Sequence, residues 1–148
     1  MSVAVKNIKL NRYDMKILES YIINLEQLKF RKLIREYELH DKPTDNNTGG
    51  SRSNTPSDPV YRHVAINLED DYYKNLDKII KAVDKLYSHA DEEVRYVFNV
   101  RYWGNEVGID TWEGMAKHLY TSKTNLLRVR ETYLKQLAND IDYVSSEI

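Results

Sequence analysis

Apolar side chains recur at intervals of three and four residues along most of this chain, the spacing that places them on one face of an α-helix. The longest such pattern covers residues 13–39 and predicts one long N-terminal helix. Pairs seven residues apart suggest a short coiled-coil seam, so a core helix and a self-associating helix both fit. The apolar set is Leu18, Tyr21, Ile22, Leu25, Leu28, Phe30, Leu33, Ile34 and Tyr37.

Two further helical patterns follow. Residues 67–87 carry apolar side chains at offsets of three or four, and Asn67 is their expected N-cap. After a break at residues 88–91, Asp91 is expected to cap the next helix. No segment shows a convincing strand pattern, so the predicted fold class is all-α. The apolar positions are Leu68, Tyr72, Leu76, Ile79, Val83 and Leu86 in the first pattern, and Val94, Val97, Phe98 and Tyr102 in the second.

Residues 40–59 interrupt these patterns with all three prolines of the chain, two adjacent glycines and many Asn, Ser, Thr and Asp. Such a composition predicts a linker or a polar loop. The chain is therefore divided into an N-terminal helical segment (1–39), this linker (40–59), a middle helix (60–90), a helical unit (91–140) and an acidic tail (141–148). Self-association is assigned to the first segment and the middle helix.

The segment from Thr111 to Leu137 predicts two helices joined by a tight turn. Thr111 is the expected first N-cap, with Asp110 and Glu113 offering a competing capping box one residue earlier. Ser122 is the expected N-cap of the second helix. The core-facing side chains are expected to be Trp112, Met115, Ala116 and Leu119, then Leu126, Val129, Tyr133 and Leu137.

The opposite face of the second helix is polar apart from Leu127, and three hydrogen-bonding side chains lie in its first turn. Between residues 115 and 137 there are five Lys or Arg against one acid, whereas the whole chain has a net charge of −1. Basic character concentrated on one element is typical of a DNA-binding helix. A helical hairpin with a solvated basic face is the alternative. The candidate DNA-binding residues are Lys117, Ser122, Lys123, Thr124, Asn125, Leu127, Arg128, Arg130, Thr132 and Lys135.

Residues 116–137 (AKHLYTSKTNLLRVRETYLKQL) resemble region 4 of bacterial sigma factors, which commonly reads A-x-x-L-G-[VI]-S-x-x-T-[VI]-x-R-x-[RK]. Residues 92–102 (EEVRYVFNVRY) resemble the first helix of the same unit. Three positions depart from the pattern. Tyr120 replaces the turn glycine, Thr121 replaces an apolar plug, and Asn125 replaces threonine. We expect Tyr120 to take an extended or left-handed conformation at some energetic cost.

Residues 17–140 as a whole, with the linker KPTDNNTGGSRSNTPSDP, resemble the RinA-type late transcriptional regulators of bacteriophages. This resemblance implies activation of late phage genes through promoter binding in the cytoplasm of a bacterial host. Lys123, Thr124, Asn125 and Arg128 would then contact bases or adjacent phosphates. Lys117, Arg130 and Lys135 would hold the DNA backbone. The expected partners are double-stranded DNA, other copies of the chain, and RNA polymerase.

Two alternatives stay open: a DNA-packaging subunit of the small-terminase class, and an adaptor that binds RNA polymerase. Residues 29–35 (KFRKLIR) carry four positive charges that would suit DNA backbone or an acidic partner, although basic residues also complement the C-terminal end of a helix.

Composition favours no enzyme class. The chain has no cysteine, its four histidines lie far apart, and it has no glycine-rich phosphate loop, so we expect no metal, no cofactor and no catalytic residue. Its apolar runs are only a few residues long, and we therefore expect no membrane association.

Overall fold

The computed structural model describes residues 8–40, 66–67, 69–104 and 109–146, and within these ranges it is helical without a strand. The all-α prediction is thereby confirmed. The elements are α1 (Arg12–Ile23), α2 (Leu25–His40), α3 (Asp71–Ser88), α4 (Glu92–Val97), a π-helical turn (Phe98–Tyr102), α5 (Trp112–His118) and α6 (Lys123–Asp140). None of these described helices is long and apolar enough to cross a membrane.

The single helix expected over residues 13–39 is wrong, because the chain breaks at Asn24. Helix α1 ends there with φ −98° and ψ 22°, and α2 begins at the next residue. The Asn24 amide still donates to the carbonyl of Ser20 at 2.9 Å. Asparagine is a poor helix former, so it can interrupt a pattern whose apolar spacing continues on both sides.

The described residues form two compact units. One contains α1, the second half of α3 and helices α4 to α6; the other contains α2 and the first half of α3. The first unit holds most of the core. Its fully buried side chains include Leu18, Ile22, Val83, Val97, Phe98, Met115, Leu126, Leu134 and Leu137.

Helix α3 starts later than its apolar pattern indicates. Asp70, and not Asn67, caps it by accepting the backbone amide of Tyr73 at 2.7 Å. The predicted cap Asn67 is therefore wrong; its side-chain oxygen instead bonds to Nε2 of His40 at 2.8 Å. The linker predicted at residues 40–59 lies outside the described residues except for His40.

Asp91 caps α4, as predicted, by accepting the amide of Val94 at 3.0 Å. The helix then widens into the π-helical turn, which closes when the Trp103 amide donates to the Phe98 carbonyl at 3.0 Å. Gly104 follows directly. A β-carbon there would lie 2.6 Å from the carbonyl oxygen of Val100, so only glycine fits without movement of the backbone.

Candidate nucleic-acid interface

Helices α5 and α6 are connected by the four residues from Leu119 to Ser122. Both predicted caps are confirmed. The hydroxyl of Thr111 accepts the Gly114 amide at 3.0 Å, and the hydroxyl of Ser122 accepts the Asn125 amide at 3.0 Å. The capping box offered by the preceding aspartate is not used. Both helices therefore begin at hydrogen-bonded caps, and the cap at Ser122 fixes the end of the turn.

The turn is a Schellman motif centred on Tyr120. The Tyr120 amide donates to the carbonyl of Lys117 at 3.2 Å, and the Thr121 amide donates to the carbonyl of Ala116 at 2.9 Å. Tyr120 has φ +54°, so of the two conformations expected of it, extended or left-handed, it takes the left-handed one. Glycine usually occupies this position, and here the tyrosine side chain is 98% exposed.

The other two departures from the sigma-factor pattern contact each other. Nδ2 of Asn125 donates to Oγ1 of Thr121 at 2.8 Å, and it also approaches Oε1 of Glu93 at 3.4 Å. A polar pair thus holds the turn where an apolar plug is usual. The Asn125 side-chain amide is thus hydrogen-bonded within the protein, and the predicted contact of Asn125 with a base or phosphate would have to compete with these bonds.

Three of the five cations counted along this segment form ion pairs within the protein. Nζ of Lys123 lies 2.6 Å from Oε1 of Glu113, and the pKa of that carboxyl is lowered by the Lys123 hydrogen bond. Lys135 pairs with Glu131 at 3.1 Å on the same helix. Exposed pairs of this kind contribute little to stability and exchange readily for a phosphate. Neither pair therefore prevents Lys123 or Lys135 from binding an external anion.

Arg130 is different, because its guanidinium is turned into the fold. Its Nε donates to Oε2 of Glu19 at 3.0 Å, and the carboxyl of Glu19 is nearly buried. The DNA-backbone contact predicted for Arg130 would require this ion pair to open. Its position explains this: Leu126 lies four residues before it and Leu134 four residues after it, and both are fully buried.

Glu19 is the centre of a buried polar network that no sequence pattern predicted. Besides Arg130 it accepts the hydroxyl of Tyr102, which in turn bonds to the hydroxyl of Tyr133. Burial raises the pKa of both tyrosines well above the ordinary value, so both stay neutral. The network joins α1 to the π-helical turn and to α6.

A second missed cluster surrounds Asp14, which is fully buried. Its carboxylate accepts the hydroxyl of Tyr143 at 2.7 Å, the hydroxyl of Ser145 at 2.9 Å and the amide of Ser146 at 3.0 Å. Burial acts to raise the pKa of Asp14, but these hydrogen bonds outweigh it and the pKa is lowered. The segment predicted as an acidic tail is thus anchored on α1.

Trp112, at the start of α5, contacts both the π-helical turn and α6. The guanidinium of Arg101 lies 4.7 Å from the centre of its ring, and that of Arg130 lies 5.6 Å from it. The Arg101 side chain also donates to the carbonyl of Asp110 at 2.7 Å. These contacts fix the start of α5 on the rest of the unit.

The outward surface of α6 carries the remaining predicted residues. Thr124, Arg128 and Thr132 are exposed, and Leu127 and Asn125 are half-buried. Ser122 and Lys117 are exposed beside them on the turn and on α5. Within the described part of the chain, neither the Arg128 guanidinium nor the Lys117 ammonium makes an ion pair. Of the five cations between residues 115 and 137, these two are exposed and lack an ion pair within the described ranges.

Residues 29–35 do not offer the basic surface that their sequence suggests. Lys32 lies 2.7 Å from Oδ1 of Asp77, and Arg35 makes two hydrogen bonds to Asp70, at 3.0 and 2.6 Å. Two of the four cations are therefore committed to α3. Among the residues that the structure describes, no group of three His, Asp or Glu side chains is placed to hold a metal ion.

A family profile described as "Protein of unknown function (DUF722)" matches residues 9–139, so the chain belongs to this family. No curated protein matches the chain. No solved structure matches it either.

Proposed function

We propose that this member of the DUF722 family is a sequence-specific DNA-binding transcriptional regulator that places α6 in the major groove. The observation that carries the proposal is the outward face of α6, where Thr124, Arg128 and Thr132 are exposed on an 18-residue helix that follows a four-residue turn. A helix of this length exceeds the width of the groove, and its exposed side chains follow the spacing of one face.

Arg128 is the residue proposed to contact a base. Its guanidinium makes no ion pair with any residue that the structure describes, so it can form two parallel hydrogen bonds to guanine without first breaking such a pair. Lys117, Lys123 and Lys135 are proposed to hold phosphates, with Ser122, Thr124 and Thr132 adding shorter hydrogen bonds. We leave Arg130 and Asn125 out of the proposed interface, because their polar groups bond to Glu19 and Thr121.

The resemblance to late phage regulators supports activation of late genes in a bacterial host as the biological role. Only a few lysines and one arginine face the DNA, so one copy should bind weakly. We therefore propose that the chain self-associates and places two or more copies of α6 on one site.

The test is binding of the full chain to DNA from upstream of a phage late operon and to random DNA of the same length, across a range of salt concentrations. Arg128→Ala should lower the preference for the specific DNA by about 5- to 150-fold, which corresponds to about 1–3 kcal/mol. Lys117→Ala should weaken binding to both DNAs equally and reduce the salt dependence.

Arg12→Ala is the matched control, because Arg12 is an exposed arginine on α1 outside the proposed interface. It should leave both affinities unchanged. Equal losses on both DNAs for Arg128→Ala would exclude the base contact. Weak and equal binding of the unaltered chain to both DNAs would exclude the regulator and favour a role in packaging or in binding RNA polymerase.

A further inference from the structure

Tyr120 combines a strained backbone with a side chain that contributes no burial to the fold. Its φ of +54° lies in the left-handed region, where a β-carbon costs free energy that a glycine would avoid. Its side chain is 98% exposed, so burial of the ring does not offset this cost. The stability of the protein therefore gives no reason for a tyrosine at this position.

The turn holds Tyr120 in this conformation through the bonds of its neighbours. The Tyr120 amide donates to the carbonyl of Lys117 at 3.2 Å, and the next amide, that of Thr121, donates to the carbonyl of Ala116 at 2.9 Å. The hydroxyl of Thr121 accepts Nδ2 of Asn125 at 2.8 Å. Residues that the surrounding structure keeps in a strained conformation cluster at functional sites. The strain at Tyr120 thus points to a contact made outside the chain.

The charges around Tyr120 suit a polyanion. Lys117 and Lys123 lie three residues to either side and are both exposed, and the sequence has no acidic residue between positions 114 and 130. Two acids approach this region in the fold: Glu113, which pairs with Lys123, and Glu93, which is half-buried. Exposed positive charge therefore exceeds exposed negative charge around the turn.

The surface beside Tyr120 does not have the composition of a protein-docking site. The centres of protein interfaces are depleted of charge and enriched in apolar side chains. The exposed residues closest to Tyr120 in the sequence are all charged or polar: Lys117, His118, Ser122 and Lys123. Tyrosine and serine hydroxyls are among the groups that contact the phosphates of DNA together with lysine. The composition therefore favours a nucleic-acid backbone over a protein.

We propose that Tyr120 is a further DNA-contact residue, whose hydroxyl donates a hydrogen bond to a phosphate oxygen at the rim of the major groove. This inference rests on the proposed function, in which α6 lies in that groove. The groove is about 12 Å wide and a helix with its side chains is about 10–12 Å across, so α6 fills it.

The position of Tyr120 fits the rim. It precedes Ser122, the N-cap of α6, by two residues, so it lies outside the helix that occupies the groove. The phosphates run along the two edges of the groove, where a residue just before the helix meets them. A tyrosine has only two side-chain torsions, so fixing its ring against a phosphate costs little conformational entropy.

A phosphate contact by an uncharged side chain can be distinguished from the other proposed contacts. It contributes equally to every DNA sequence, unlike the base contact proposed for Arg128. It also releases no counterion, unlike the ammonium of Lys117, so its loss leaves the salt dependence of binding unchanged. Removal of the Tyr120 hydroxyl should therefore lower the affinity for all DNA without altering the salt slope.

The experiment is binding of the full chain and its variants to DNA from upstream of a phage late operon and to random DNA, across salt concentrations. Tyr120→Phe removes only the hydroxyl and keeps the ring and the β-carbon. It should weaken binding to both DNAs by roughly 2- to 10-fold at every salt concentration. Tyr13→Phe is the matched control, because Tyr13 is 64% exposed on α1 outside the proposed interface, and it should leave both affinities unchanged.

Tyr120→Gly separates the contact from folding. It removes the strain together with the side chain, so its Tm should rise in scanning calorimetry, whereas its affinity for both DNAs should fall at least as far as that of Tyr120→Phe. A loss of affinity in a more stable protein cannot arise from unfolding.

Four outcomes would overturn the proposal. If Lys117→Ala weakens binding while both Tyr120 variants bind like the unaltered chain, DNA binding stands and Tyr120 is not part of the interface. A loss confined to the specific DNA would indicate a base contact instead of a phosphate contact. Unchanged DNA affinity with loss of binding to purified bacterial RNA polymerase would identify a protein contact. An unaltered chain that binds neither DNA would overturn the proposed function, and this inference with it.

Discussion

Replacing Tyr120 by glycine should stabilise the protein, although it removes a large side chain. Tyr120 occupies the left-handed position of the turn with φ +54°. A residue with a β-carbon pays about 1–2 kcal/mol for that conformation. Glycine avoids this cost but loses about 0.5–1 kcal/mol through its more flexible unfolded state. Because the side chain is 98% exposed, almost no burial is lost. The net gain should be about 0.5–1 kcal/mol.

For a chain of this length that gain corresponds to a rise in Tm of about 1–4 °C, measured by scanning calorimetry. Tyr120→Ala separates the two explanations of any effect, since it removes the ring and keeps the β-carbon. It should give no increase in Tm. A Tm that falls in Tyr120→Gly, or that rises equally in both variants, would refute the assignment of backbone strain to this residue.

Three further changes test other parts of the fold. Glu19→Leu should lower the free energy of unfolding in urea by about 3 kcal/mol, because it leaves the Arg130 guanidinium without its partner, and Glu19→Gln should lose clearly less; equal losses would exclude the charge interaction. Arg35 lowers the pKa of Asp70 to about 2, so this carboxylate contributes stability that is present above about pH 4 and is lost as the pH falls through 2. The destabilisation caused by Asp70→Asn should therefore be larger at pH 6 than at pH 2, and an effect independent of pH would contradict the ion pair. Gly104→Ala should cost about 1–3 kcal/mol in the same urea measurement, because its β-carbon meets a backbone carbonyl, and an unchanged midpoint would disprove the close approach.

Periodicity and capping chemistry predicted most of the helices. Asp91, Thr111 and Ser122 each cap the helix that their position indicated. The oxygen of a short polar side chain at that position can accept a backbone amide that has no partner within the helix. The break at Asn24 was not predicted, since the apolar spacing continues across it. Apolar spacing reports which face is buried locally, and it does not report whether one straight helix connects two such faces.

The surroundings of the candidate DNA-binding residues were predicted only in part. Thr124 and Arg128 are exposed where the spacing places them, but the roles assigned to Arg130 and Asn125 depended on charge and residue type alone. Arg130 shares a face with buried leucines, which the spacing could have revealed. Its partner Glu19 lies 111 residues away, and no local pattern indicates a contact over that distance.

On α2 the apolar pattern also failed to predict which side chains are buried. The pattern assigned Phe30, Leu33, Ile34 and Tyr37 to a single stripe together with residues that are buried. The charged side chains Lys32 and Arg35 were expected at the surface. The aspartates of α3 reverse this expectation, because an ion pair between two helices can occupy the contact face as well as apolar side chains do.

The anchoring of the C-terminal residues on α1 determines which fragments of this protein can keep their polar contacts when they are expressed alone. Residues 91–148 resemble a self-contained module, yet a fragment limited to them would lack both carboxylates that satisfy its inward polar groups. Arg130 and Tyr102 would lose Glu19, and Tyr143 would lose Asp14. Helix α1 is therefore an integral part of the unit that contains α4 to α6. Transfer of the unit to another protein would require both ends of the chain.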